Sequence, residues 1–106
     1  MGIDERTVQE IVRRILSVAK PDRIILFGSA ATGQMTRDSD IDLLIVGADT
    51  SDQRSRYVRI REALGDVGHP VDLLFISTEW FEDSKDVIGG IAYPANKHGR
   101  VIYEAA

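Results

Sequence analysis

The sequence predicts a small α/β domain of the α+β kind, a mixed β-sheet with helices packed on it. Three observations predict it. Apolar residues recur at helical spacing in two long stretches. Short β-branched runs stand between those stretches and end at glycine. The two kinds of segment alternate along the chain, which suits helices packed on one small sheet.

Residues 4–19 place Val8, Ile11, Val12, Ile15, Leu16 and Ala19 on one helical face. The helix starts either at Asp4 or at Thr7, where Thr7 and Glu10 form a capping box, and Pro21 follows its end. Arg23 to Phe27 reads as a buried strand ending at Gly28, and Ser29 to Gly33 as a turn into a brief helix. Ile41 to Val46 is a second strand. Asp52 to Val67 reads as a second helix carried by Tyr57, Ile60, Leu64 and Val67, with Gly68 just past its end. Val71 to Ile76 is a third strand, and Ser77 to His98 is helical in pieces interrupted by Gly89, Gly90 and Pro94. Arg100 to Tyr103 closes the pattern as a short strand. The strands at 23–27, 41–46 and 71–76 are expected to lie together.

Composition narrows the function. The 106 residues fit one domain, 1–106, with a modest core. Apolar residues make up 43% and charged residues 28%, which argues against disorder. With no cysteine, disulfides, zinc-thiolate sites and thiol catalysis are excluded, and a cytoplasmic location is expected. The charged N-terminal residues do not read as a secretory signal, and no apolar run is long enough for a membrane span. A net charge of −4 argues against non-specific nucleic-acid binding.

The chemistry concentrates between Leu26 and Val46, LFGSAATGQMTRDSDIDLLIV. Gly28 and Ser29 sit where a strand turns into a helix. Glycine there lets backbone N–H groups approach an anion, and a helix start offers unpaired donors. Alone, such a pair reads rather as a tight turn with an N-cap than as an anion site. Asp40 and Asp42 open an otherwise apolar strand, and strand alternation puts both carboxylates on one face. Two acids on one face repel unless something positive lies between them, and a hard divalent cation such as magnesium suits them. Capping of a solvated strand start is the bland alternative, more comfortable for Asp40 than for Asp42. Asp72 interrupts a third apolar strand. By itself it reads equally as an ion-pair residue, but beside Asp40 and Asp42 it completes a set suited to two-metal phosphoryl chemistry.

Gly28-Ser29, ten residues, then Asp40-Ile41-Asp42 resembles the GSX10DXD signature of the DNA polymerase beta-like nucleotidyltransferase superfamily. Asp72 resembles its third acid. The short chain resembles the minimal nucleotidyltransferase branch, whose members are often paired with a HEPN-domain partner. This resemblance implies that Gly28 and Ser29 hold the triphosphate of ATP or another nucleoside triphosphate. It implies two Mg2+ ions on Asp40, Asp42 and Asp72, and transfer of a nucleoside monophosphate to a hydroxyl of a partner protein by an antitoxin. Thr32 stands where family members commonly carry an arginine, and Arg37 is the candidate replacement for its charge. The competing function is an antitoxin that neutralises its HEPN partner by binding, with weak catalysis or none. A nucleotide- or metal-sensing module is a third possibility. A homodimer is a possible assembly. The arginines at 54, 56, 59 and 61 read as a solvated helix face or as a docking surface.

Overall fold

A computed structural model describes residues 4–28, 31, 40–47, 53–88, 90 and 97–105. The first helix, α1, spans Glu5–Leu16. Asp4 caps it, accepting a hydrogen bond from the Arg6 amide at 2.9 Å. Of the two possible starts, the earlier one is used. Val8, Ile11 and Ile15 form its buried stripe. Glu10 faces solvent and bonds to Arg13 and Arg14, one turn further on.

The strands are β1 (Arg23–Phe27), β2 (Ile41–Val46), β3 (Val71–Ile76) and β4 (Arg100–Glu104). Among the described residues they form one sheet in the order β3-β2-β1-β4. β1 runs antiparallel to both β2 and β4, whereas β2 and β3 are parallel. The three strands expected to lie together do so, and the terminal strand joins them at the β1 edge. A chain of alternating helices and strands could have built parallel units throughout; only the β2–β3 pair is parallel.

The second helix, α2, spans Gln53–Leu64. It ends three residues before the sequence pattern does. Gly65 adopts φ +54, the left-handed region that a Cβ disfavours, and this stops the helix. Val67 extends the apolar spacing because it packs against the core from outside the helix. The third helix, α3, spans Thr78–Ser84 and is capped by the Ser77 side chain, which accepts from the Trp80 amide at 3.1 Å.

Strand alternation divides the core between the two sheet faces. On one face Ile11 and Ile15 of α1 and Ile60 and Leu64 of α2 meet Ile24, Leu26, Ile41, Leu43 and Ile45. On the other, Ile25, Leu44, Val46 and Ile76 meet Phe81 of α3. This second cover is partial: Leu74, on the same side as Ile76, remains 42% exposed.

Candidate active site

The second sheet face carries the acids. In β2, Ile41 is fully buried among the helices, so Asp42 must point to the opposite side, with Leu44 and Val46. β2 pairs with β3 in register, and Asp42 lies directly beside Asp72. Adjacent strands are about 4.8 Å apart, so two carboxylates on one face at this register are neighbours. The Ile41 amide donates to the Pro70 carbonyl at 2.8 Å, fixing the starts of both strands together. Asp40 stands one residue before β2 and is exposed, as is Asp72, while Asp42 is half-buried.

Electrostatics follow from this crowding. The Asp42 carboxyl is pushed above its ordinary value, first by burial, then by the charges of Asp72 and Asp40, and last by its hydrogen bond with Asp72. Among the described residues no lysine or arginine forms an ion pair with any of the three acids. Among the described residues nothing offsets the charge gathered around Asp42.

Gly28 closes the site from the β1 side. Phe27 pairs with Asp42 across β1 and β2, so Gly28 follows immediately beside that carboxylate. It adopts φ +71. A Cβ built on it would overlap Oδ2 of Asp42 and lie 3.3 Å from its Cγ. The glycine therefore has two reasons to be there, its backbone conformation and the space taken by Asp42. Only the first kind of reason was legible in sequence. After it, Ala31 is helical and its amide donates to the Gly28 carbonyl at 3.1 Å; the rest of the brief helix expected there lies outside the described residues. Ser29, Thr32 and Arg37 lie outside the described residues.

The donor set is three carboxylates, all hard oxygen ligands that fit magnesium. Among the described residues no three acidic or imidazole side chains close into a ready-made metal cage. Sequence reasoning missed the part of Pro70, whose carbonyl secures the register of the acids. Its signal was its position just ahead of β3. His69 and His98 bring nothing to the acids that the structure records. Trp80 and Phe81 separate: Phe81 is core and Trp80 is 66% exposed.

The geometry is therefore an acid pair in register on adjacent strands, with a third acid two residues before one of them and a glycine turn packed against the middle carboxylate. The chain belongs to the nucleotidyltransferase domain family, which it matches over residues 5–93. A protein of Methanocaldococcus jannaschii named "Putative protein adenylyltransferase" is 46% identical over 46 residues, 42% of this chain. That match covers 46% of the relative's length, less than half of it. A solved structure described as a toxin-antitoxin with AMP-PNP superposes with a TM-score of 0.70 at 22% identity, covering 92% of this chain and 73% of that one. It shares the fold.

Proposed function

We propose that residues 1–106 act as one Mg2+-dependent nucleotidyltransferase domain. It transfers a nucleoside monophosphate, most simply AMP from ATP, to a hydroxyl of a partner protein. The partner is a HEPN-type toxin and this chain its antitoxin, acting in the cytoplasm. The observation that carries the reading is Asp42, held between Asp72 and Asp40 against Gly28, with no cation of the described chain to balance it. The names of the relative and of the structural neighbour, an adenylyltransferase and a toxin-antitoxin with a nucleotide analogue, support it further.

Asp40, Asp42 and Asp72 would hold two magnesium ions, which would offset the negative charge of carboxylates and triphosphate. The amides after Gly28 and the Ser29 hydroxyl hold the triphosphate, with Arg37 adding positive charge. The acceptor hydroxyl oxygen attacks the α-phosphorus. The bond from that phosphorus to the bridging oxygen of the β-phosphate breaks, and pyrophosphate leaves. Asp72, exposed beside Asp42, takes the hydroxyl proton. Positioning and charge stabilisation supply most of the rate.

The test is to incubate the chain with magnesium, ATP and the HEPN-type partner, and to follow label on protein. Label from α- but not γ-labelled phosphate, absent in Asp42→Asn, is the expected result. A second reading, an antitoxin that acts by binding, is favoured by Thr32 at the place of the family's arginine. It predicts no label and a partner that Asp42→Asn still neutralises.

A further inference from the structure

Away from the acids, at the other end of β2, lies a cavity of about 460 Å³. Its walls include Leu16, Val18 and Pro21, and its polar lining includes Lys20, Arg56 and Arg59. The volume is that of a ligand or anchor-residue pocket. Leu16 and Val18 keep more than a third of their surface in water. Arg56 is held in place by stacking on Phe75, 5.0 Å from the ring centre. Among the described residues no carboxylate pairs with Lys20, Arg56 or Arg59. In a chain of net charge −4, this is a concentrated positive rim with no carboxylate partner among the described residues.

The complementary shape is on the same molecule. Helix α3 buries Phe81 and turns Glu79, Trp80 and Asp83 outward on adjoining positions of its other side. Trp80 is 66% exposed, and it is the chain's single tryptophan. Glu82 is taken up by Arg23 at 3.0 Å and Lys85 at 2.8 Å, but Glu79 and Asp83 have no such partner among the described residues. An exposed indole flanked by acids is the counterpart of a partly apolar cavity rimmed by cations.

Both features sit at one end of the sheet. Gly47 lines the cavity, and its amide donates to the Ile76 carbonyl at 3.0 Å, two residues before α3 begins. They lie on opposite sides of that end, α3 over the second face and the cavity on the α1–α2 side. A two-fold axis along the sheet end would bring each α3 against the other copy's cavity, a closed and self-complementary contact. We infer that the chain forms a two-fold homodimer in which Trp80 of each copy enters the Lys20–Arg56–Arg59 cavity of the other. The inference is independent of the transfer chemistry. Trp with flanking charge is the kind of anchor that dominates an interface.

Sedimentation of the purified chain across a concentration series tests it, at low and physiological salt. The expected result is a monomer–dimer equilibrium that weakens with salt, with Trp80 emission moving to shorter wavelength as dimer forms. Trp80→Ala weakens association by roughly thirtyfold, the effect of an interface hot spot. The charge reversals Arg59→Glu and Asp83→Lys each leave a monomer. Mixed, they re-form a dimer, because both contacts of the mixed pair again join opposite charges. A wild-type chain that stays monomeric at low salt up to about 1 mM, the weakest affinity scale for specific binding, overturns the proposal. So does association indifferent to Trp80→Ala and to both reversals. If Trp80 emission responds only to a different protein, the surface belongs to that partner and the homodimer is wrong.

Discussion

Replacing Gly28 with alanine separates the two reasons for that glycine. The backbone there has φ +71, and a residue with a Cβ pays about 1–2 kcal/mol to adopt it. The new methyl also overlaps Oδ2 of Asp42. That oxygen is the end of a side chain, so it can swing away at little cost in stability, but the carboxylate then leaves its place beside Asp72. Gly28→Ala should therefore lower stability by only ~1–2 kcal/mol, or about 4–8 °C in melting temperature per kcal/mol for a domain of this size. Transfer should fall far more, by roughly a hundredfold, the effect of a misplacement of about 1 Å in a reacting constellation. Gly65→Ala is the control. It carries the same kind of strain at φ +54, and its Cβ would meet only Arg14 Nη1 at 3.5 Å. It should match the stability loss and leave transfer intact. Thermal melts and α-phosphate label transfer, run on both variants, give the comparison. Equal activity in the two variants would refute the steric link between Gly28 and Asp42.

Asp42→Asn should abolish transfer yet stabilise the metal-free fold. The folded chain binds a proton at Asp42 more readily than the unfolded chain does, so ionising Asp42 costs stability above its raised value and the cost vanishes as pH falls through it. Melts in chelator should show the variant gaining about 0.5–2 kcal/mol at neutral pH, the usual return from relieving a strained functional site, and no advantage in acid. A variant less stable than wild type at pH 7 in chelator would count against a repulsive acid cluster. Glu10 should behave in the opposite sense. Hydrogen bonds from Arg13 and then Arg14 lower its carboxyl from 4.5 to about 2, so its contribution is complete above 4.5 and lost as pH falls toward 2. Carboxyl chemical shifts followed by NMR should put its midpoint well below that of Glu10 in an Arg13→Ala, Arg14→Ala chain.

Much of the fold was legible because β-branched runs and helical spacing are local signals. The bounds of β1, β2 and β3 follow directly from where apolar runs meet Gly28, Gly47 and Pro70. The end of α2 was not legible, since apolar spacing cannot tell Val67 packed from a loop from Val67 on a helix; the conformation of Gly65 decides it. The nearness of Asp42 and Asp72 was an expectation that needed a strand pairing no local pattern specifies, and the parallel register supplies it. The exposure of Trp80 was equally hidden. Adjacent aromatic residues 80 and 81 carry the same apolar signal, and only the docking of α3 through Phe81 determines which of them is left in water.

The acids do not share equally firm ground. Asp42 rides on a strand with neighbours on both sides and four consecutive, fully buried residues after it. Amides of such a strand exchange with solvent chiefly when the whole domain opens. Asp72 rides on β3, which lies at the sheet margin. For the transfer proposed above, this predicts that adaptation to acceptors of different shape falls to the Asp72 side, with Asp42 as the fixed reference point.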